Sequence, residues 1–268
     1  METLPETLPF TVKDTPFDMK LVEGNLDTEK PFMMGSNQYD EKPIHPVRLS
    51  TFYMGEFPVT QSLWQAVMGK HPAHFKGDDQ RPVERVSWQV VTNNFLPKLN
   101  QLLAEQINSK GGGEFQLPTE AQWEYAARGG RYETPNLEYA GAAYLNEVGW
   151  FDENSQNQTH PVGEKFANPL GLYDMSGNVW EWCADGYDEA YYRACLNEVS
   201  KGGRDAVIDP QGPPSTEQHR VLRGGGYFNH AFGCRASNRR LDSPGLRYVG
   251  IGFRLLFAGM GASGVMST

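Results

Sequence analysis

The sequence lacks long apolar runs, an excess of basic residues and a dense set of cysteines. No apolar run approaches the roughly eighteen residues of a membrane-spanning helix, so we expect no transmembrane segment. Aspartate and glutamate outnumber lysine and arginine by 33 to 24 and no basic stripe occurs, which argues against a nucleic-acid partner. Cys183, Cys195 and Cys234 form neither a disulfide framework nor a CxxC metal motif. One disulfide with a spare thiol and three reduced thiols both remain open.

What the sequence does have is turn-forming residues, 29 glycines and 18 prolines, without a repeat or a linker. We predict a loosely attached, proline-broken arm over residues 1–16, one domain over 17–257 and a tail over 258–268. The opening METLPETLPF is acidic and unlike a secretory signal. Few strands, a few helices and much ordered loop indicate an α+β domain. Short strands are predicted at 32–35, 47–53, 221–223 and 252–257.

Capping residues predict three helices. Thr60 precedes a helix over 61–68 that ends at Gly69, and Ser87 precedes a longer one over 88–106, in which Pro97 predicts a kink or a break. The segment 117–130 has the spacing of a capping box at its start and two glycines at its end. Asparagine, glycine and aspartate are dense through 130–220, which favours ordered loops there.

The segment 220–257 places an irregular, chemically mixed stretch between two regular flanks, RVLRGG at 220–225 and GIGFRLLF at 250–257. Its apolar side chains follow neither a helical nor a strand period. On a surface loop they would form an exposed apolar cluster, which marks an interaction site. The alternative is that they fill the core beneath a long loop. These side chains are Tyr227, Phe228, Phe232, Leu241, Leu246 and Tyr248.

Six motifs follow one another in a distinctive order: FYMGEFPVTQSLWQAVMG, RPVERVSWQ, LPTEAQWEYAARGG, ANPLGLYDMSGNVWEWCAD, RVLRGGGY and GIGFR. In this order and spacing the chain resembles the formylglycine-generating enzyme family of sulfatase-modifying domains, over about residues 17–257. The resemblance implies a C-type lectin-like fold of the formylglycine-generating-enzyme subtype. Such a fold is loop-rich, with small antiparallel sheets and two main helices.

The resemblance also implies where catalytic residues would lie, and the set is incomplete. The enzymes of this family oxidise a substrate cysteine with copper held by two thiolates after the RGG motif, where soft thiolates suit Cu(I). Here that segment has only Cys234, and Asn229 or a neighbour stands at the other position, so we predict that Cys234 is a buried framework residue. An iron-dependent branch takes three histidines from an additional N-terminal domain. His71 and His74 are the only closely spaced pair here and favour a solvated loop.

The chain is most similar to the variable proteins of diversity-generating retroelements. Those proteins have a C-terminal variable region between an RGG and a GFR motif, with a CRxxxR element inside, as at 223–225, 252–254 and 234–239 here. The resemblance implies a ligand-binding site made of Tyr227, Phe228, Asn229, His230, Phe232, Gly233, Arg240, Leu241, Asp242, Ser243, Gly245, Leu246, Tyr248 and Val249. A mixture of aromatic and small polar residues suits adaptable recognition.

The turn GLYDMSGNVWEWC is the place at which the family binds calcium. The resemblance implies side-chain oxygens from Asp174 and Glu181 and carbonyl oxygens from Gly177 and Val179, all hard ligands that suit Ca²⁺. Any such ion would be structural, and no other cofactor is expected. The alternative is that Asp174 and Asn178 hydrogen-bond the turn while Trp180 and Trp182 pack in the core.

These observations predict a monomeric, non-enzymatic protein that binds a protein or glycan ligand. The resemblance implies a bacterial cell surface, with a lipid anchor on the precursor and a cytoplasmic location both left open. A divergent enzyme of the same family that acts on a protein cysteine, and a non-catalytic structural or regulatory domain, are the alternatives.

Overall fold

The strands of this chain are short and join into three small sheets. The computed structural model describes residues 4–134, 136–213 and 218–259. Its strands are β1 Thr7–Val12, β2 Thr15–Val22, β3 Phe32–Met34, β4 His45–Arg48, β5 Phe52–Gly55, β6 Gly113–Gln116, β7 Trp180–Gly186, β8 Val207–Ile208, β9 Arg220–Arg223, β10 Arg239–Asp242, β11 Ile251–Phe253 and β12 Leu256–Gly259. Its helices are α1 Gln61–Met68, α2 Trp88–Val90, α3 Leu96–Leu102, α4 Ala104–Ser109, α5 Glu120–Ala127, α6 Leu145–Val148 and α7 Tyr191–Gly202.

The sheets have the strand orders β1-β2-β5-β12-β6, β10-β9-β7-β11 and β3-β4-β8. Most neighbours are antiparallel, as predicted, but β11 pairs with β7 and β4 pairs with β8 in parallel. The small sheets and few helices confirm the α+β class. The parallel β7–β11 pair matters for the site, because it joins the WEW motif to the GFR motif.

Two of the predicted strands are each divided between two sheets. The segment 47–53 contributes β4 to one sheet and β5 to another. The segment 252–257 is divided in the same way: β11 ends at Phe253 in the four-stranded sheet, and β12 begins at Leu256 in the five-stranded sheet. Between them, Arg254 turns inward to a buried partner. A run of apolar residues does not reveal such a crossing, because both halves are buried.

The prediction of a loose arm over 1–16 is wrong for residues 7–16. Strand β1 pairs with β2 along its whole length, from Thr7 opposite Lys20 to Val12 opposite Thr15. Phe10 is buried and contacts the rings of Phe115 and Phe257 at 4.9 and 5.3 Å between centroids. Pro9 is tolerated because β1 is an edge strand. The predicted tail is also wrong for residues 258 and 259, which belong to β12 and pair with β6. Residues 1–3 of the arm and 260–268 of the tail lie outside the described residues.

All three predicted helices are present. Thr60 caps α1 and Gly69 ends it in the left-handed conformation, and Thr119 and Gln122 form the capping box of α5. The third is irregular as expected from Pro97: a three-residue helix capped by Ser87 passes into a π-helical stretch, Val91–Phe95, before α3. Pro97 has no N–H to donate to the preceding turn.

The twelve-residue helix α7 lies in a region where we predicted loops. Tyr192 and Cys195 are buried on one face of it, and Leu196 and Val199 are half-buried. This i, i+3, i+4, i+7 spacing is the signature of an amphipathic helix. The surrounding turn residues obscured it in the sequence.

The core has two large apolar clusters. One lies between the five-stranded sheet and helices α1 and α3, and contains Trp180, Trp182 and Phe253. The other lies around α5 and contains Trp123 and Cys183. Both tryptophans of the WEW motif are buried, as predicted. Among the described residues, no helix is long and apolar enough to cross a membrane.

Candidate ligand-binding surface

Four buried arginines hold the backbone around the candidate site, and each bonds a buried carboxylate. They belong to the RGG, CRxxxR and GFR motifs. Arg235 bonds Glu41 through two nitrogens, at 2.5 and 3.0 Å, and Arg239 bonds Glu120 in the same way at 2.8 and 2.7 Å. The other pairs are Arg223 with Glu124 and Arg254 with Glu181.

Two of these carboxylates, Glu41 and Glu124, have a pKa below the ordinary value despite their burial. Burial acts to raise the pKa of Glu41, but the hydrogen bonds from Arg235, Ser36 and Ser237, together with the charge of Arg235, outweigh it, so that the pKa lies below its ordinary value. Breaking such a pair leaves an uncompensated buried charge, which costs about 3–5 kcal/mol. The arginines therefore fix strands β9, β10 and β11 to the core, independently of the side chains between them.

A tight turn follows β9 and presses the RGG motif against Cys234. Gly225 has a φ of +74°, and a Cβ atom there would lie 2.7 Å from the Cys234 sulfur. Cys234 itself is fully buried, as predicted. Burial raises the pKa of its thiol to about 12, so the thiolate form is strongly disfavoured.

The predicted site residues lie on two adjoining stretches, 227–233 and 240–249, which we call the 227–249 surface. Its residues fall into three classes of solvent exposure. His230, Phe232, Leu241, Ser243, Gly245 and Tyr248 are exposed. Phe228, Asn229, Gly233, Arg240, Asp242, Leu246 and Val249 are half-buried, and Tyr227 is buried. The exposed apolar cluster is thus smaller than predicted.

Tyr227 is the residue for which the expectation of exposure is wrong. Only 8% of its surface is accessible, because its ring packs edge-on against Phe75 and Phe228 at 5.2 and 5.1 Å. Phe228 in turn contacts Tyr248 at 5.9 Å. These rings form one row from the core to the surface, in which Tyr248 is 49% exposed. For Tyr227 the core-filling alternative is correct.

Asn229 supports the loop. Its side-chain oxygen accepts hydrogen bonds from the Trp180 indole at 2.8 Å and from the Gly226 N–H at 3.0 Å. Its backbone oxygen accepts one from the Asp152 N–H at 3.1 Å. This amide ties the first stretch to β7, so its replacement would disturb the loop itself.

The second stretch rests on the start of α2. The Gln89 N–H donates to the Pro244 carbonyl at 3.1 Å, and the Arg85 N–H donates to the Tyr248 carbonyl at 3.2 Å. At the start of this stretch, in strand β10, Arg240 bonds Asp242 at 3.1 Å. The backbone of this stretch is therefore fixed to the residues beneath it, while Leu241, Ser243 and Tyr248 are exposed to solvent.

Three residues that sequence reasoning missed also contribute. The Asp152 carboxylate contacts the imidazole of the exposed His230, Phe75 supports Tyr227, and Arg247 stands between two predicted residues. Asp152 and Phe75 come from distant loops, and nothing in their local sequence marks them. Arg247 lies inside the predicted segment, and its positive charge could have marked it as a binding residue.

The turn that would bind calcium is held by internal hydrogen bonds and by Arg254. Asp174 accepts from the Gly163 N–H at 2.9 Å and from the Asn178 amide at 3.2 Å, and its burial raises its pKa to about 6. Both oxygens of Glu181 bond Arg254, and one also accepts from the Trp123 indole at 2.7 Å. The resemblance implies that the Glu181 carboxylate binds calcium, but here both of its oxygens accept hydrogen bonds from the Arg254 guanidinium. Glu181 therefore does not fit the ligand set with Asp174, Gly177 and Val179. We therefore expect this turn to be held by these hydrogen bonds without calcium, which calorimetry with added calcium and with a chelator tests.

The comparisons with known proteins agree with this fold. The chain is 35% identical to chaperone protein LppX of Paenibacillus barcinonensis, over 72% of this chain and 79% of that protein. It is 32% identical to the formylglycine-generating enzyme of Streptomyces coelicolor, over 71% of this chain and 59% of that enzyme's length. Among solved structures, Treponema denticola variable protein 1 superposes with a TM-score of 0.77 and 33% identity, over 94% of this chain and 99% of the other.

The model of the sulfatase-modifying factor enzyme 1-like domain matches residues 21–258. This range extends from β2 to β12 and includes all four arginine–carboxylate pairs. The chain therefore belongs to the formylglycine-generating enzyme (sulfatase-modifying factor) family and has its C-type lectin-like fold.

Proposed function

We propose that this chain is a non-enzymatic ligand-binding protein of the variable-protein type, and that its 227–249 surface binds a protein or glycan. One observation carries the proposal: the motif arginines are buried and paired, whereas several of the side chains between them are exposed. Phe232 is 59% exposed and Tyr248 49% exposed. Exposed aromatic rings provide large contact areas at low entropic cost. Because the buried arginine–carboxylate pairs hold the backbone, the exposed residues can be substituted without loss of the fold.

The similarity to Treponema denticola variable protein 1 supports this proposal, because it extends over nearly the whole of both chains. The order of the RGG, CRxxxR and GFR motifs supports it as well. We therefore propose that the 227–249 surface is diversified by a retroelement that acts on adenines of the gene.

Sequencing of codons 226–250 across many cells of one clonal culture tests the diversification. We expect substitutions at codons for exposed residues such as Phe232, Leu241 and Tyr248, and none at the codons for the paired arginines. An invariant segment would contradict the proposal and favour a structural or regulatory domain.

Binding is tested on a glycan array and on a library of displayed proteins. We expect ligands of the wild-type protein to lose at least about tenfold in affinity with Phe232→Ala and Tyr248→Ala, about 1.4 kcal/mol. Phe166→Ala is the matched control, because Phe166 is 74% exposed but lies outside the surface. Equal loss in the control would show that general surface hydrophobicity, and not this surface, drives binding.

The second candidate is an enzyme that uses Cys234. The family membership favours it, but the buried thiol with its raised pKa is poorly suited to bind a soft metal alone. We expect no conversion of a cysteine-containing peptide to formylglycine by the aerobic, copper-supplemented protein. Conversion that Cys234→Ala abolishes would replace the binding proposal with this one.

We propose further that the protein is a monomer on a bacterial cell surface. Light scattering of the purified chain tests its mass, and protease treatment of intact cells tests its exposure. A dimer mass, or protection from protease until the cells are lysed, would contradict these two statements respectively.

A further inference from the structure

A small apolar pocket lies beside the 227–249 surface, between the end of α1 and residue 247. Its volume is about 220 Å³. This is below the range of about 300–1,000 Å³ that is typical of small-molecule sites, so it has room for little more than one side chain. Its apolar lining consists of Trp64, Met68, Pro72, Val86 and Val90.

The rim of this pocket is cationic. Lys70, Arg85 and Arg247 line it and are exposed, and no salt bridge found among the described residues includes any of them. His71 also lines it, with a buried Nδ1 that has no hydrogen-bond partner in the described chain. These three cations make the rim of an apolar pocket positive in a chain of net charge −9.

The neighbouring carboxylate of Glu84 does not neutralise this rim by a salt bridge. Glu84 is fully buried and accepts hydrogen bonds from the backbone N–H groups of His74 and Phe75, the latter at 3.0 Å. It therefore holds the 71–75 loop in place, while the next residue, Arg85, reaches the pocket. Arg85 is close enough to Glu84 for their charges to interact, but neither its guanidinium nor that of Arg247 forms a salt bridge among the described residues, so both can bond an incoming anion.

The pocket is continuous with the proposed binding surface. The Arg85 N–H donates to the Tyr248 carbonyl, and Arg247 lies between Leu246 and Tyr248 in the chain. A ligand that covers Tyr248 would therefore also reach Arg247. Half-buried Leu246 and exposed Tyr248 extend the apolar area beyond the pocket.

We infer that this pocket receives one apolar side chain from an acidic segment of a protein ligand, whose flanking carboxylates bond Arg85 and Arg247. The inference rests on the proposed ligand-binding function and names the chemistry of part of the ligand. Guanidinium groups bind carboxylates through two parallel hydrogen bonds, which orients the segment as well as attracting it. Salt weakens this attraction, because the rim is exposed to solvent.

The test uses three short blocked peptides: an acidic one with a central phenylalanine (Asp-Glu-Phe-Glu-Asp), its basic twin (Lys-Arg-Phe-Arg-Lys), and an acidic one with glycine at the centre (Asp-Glu-Gly-Glu-Asp). Binding is measured by amide chemical-shift changes in NMR titrations. We expect the acidic phenylalanine peptide to bind at least about tenfold more tightly than either control, with shifts at residues 64–72, 85–90 and 246–248. Arg247→Glu should weaken it by at least about tenfold, a difference of about 1.4 kcal/mol.

Arg193→Glu is the matched control, because Arg193 is an exposed arginine on α7, in no salt bridge found among the described residues. Unchanged binding by Arg247→Glu, equal binding of the glycine peptide, or shifts elsewhere on the molecule would overturn the inference. These results are independent of the sequencing of codons 226–250, which tests the proposed function separately. If that function holds and its ligand binds Arg247→Glu normally, only this subsite is wrong.

Discussion

Arg254 and Glu181 form a buried ion pair in which two guanidinium nitrogens bond two carboxylate oxygens, Nη2 to Oε1 at 2.9 Å and Nε to Oε2 at 3.1 Å. The same guanidinium donates to the carbonyl oxygens of Gly55 and Tyr173, at 2.8 and 2.7 Å. It therefore joins the GFR motif, the WEW motif and the edge of β5 at one point. Trp123 of α5 completes the cluster through its bond to Glu181.

Replacement of Arg254 by alanine should destabilise the fold strongly. The Glu181 carboxylate would lose its guanidinium partner in a buried site, and we expect a loss of about 3–5 kcal/mol in the free energy of unfolding, measured with urea. Arg193→Ala, on the exposed side of α7, should change it by no more than about 0.5 kcal/mol. A similar small change for Arg254→Ala would mean that the pair does not hold the frame.

The exposed and buried rings of the 227–249 surface should respond differently to truncation. Tyr227→Ala removes a buried ring that packs between Phe75 and Phe228, and should cost about 3 kcal/mol. Phe232→Ala removes an exposed ring over Arg235, at 3.9 Å from its centroid, and should cost about 1 kcal/mol or less. Thermal unfolding of the two single variants measures this. Equal losses would place Phe232 in the core and weaken the case for a binding surface.

Stability should depend on pH through Asp185. This carboxyl is buried and accepts a hydrogen bond from the Glu120 N–H at 2.8 Å. Burial and the nearby charge of Glu120 raise its pKa to about 7 from an ordinary value of 3.8. Between these two values the folded state holds a proton that the unfolded state has released. The contribution of this group is therefore complete below about pH 4 and is lost as the pH rises to about 7.

The variant Asp185→Asn should remove this part of the pH dependence. One unit of pKa shift corresponds to about 1.4 kcal/mol, so between about pH 5 and pH 7 the wild-type protein should lose about 2 kcal/mol more than the variant. Urea unfolding of both proteins at the two pH values gives the difference. Other titrating groups, such as Asp174, contribute to both proteins and cancel. Equal losses would mean that Asp185 is ionised throughout this range.

Calcium should leave the unfolding temperature unchanged. The Glu181 carboxylate is bonded by Arg254, and Asp174 already accepts two hydrogen bonds within its turn. We therefore expect calorimetric scans with added calcium chloride and with a chelator to coincide within about 1 °C, since a ligand raises stability only when it binds the folded state. A rise in the unfolding temperature that saturates with calcium would restore the ligand set implied by the family.

Local sequence was sufficient to predict the capped helices and to locate the RGG, CRxxxR and GFR motifs. Thr60 and Thr119 each bond a backbone N–H three residues ahead, so the start of α1 and α5 is a property of four consecutive residues. The strand predictions were less complete, because strand pairing joins residues far apart. The arm was misjudged for the same reason: Phe10 is ordered by Phe115 and Phe257, which no local pattern connects to it.

Residue types and short spacings were enough to identify the family, the capped helices, the burial of both WEW tryptophans and of Cys234, and the segment that contains the candidate surface. Three features became visible only in the folded chain: Tyr227 lies in the core, Glu181 bonds Arg254, and Lys70, Arg85 and Arg247 line one pocket. Burial and charge pairing depend on which distant segments come into contact, and packing across the whole fold sets those contacts.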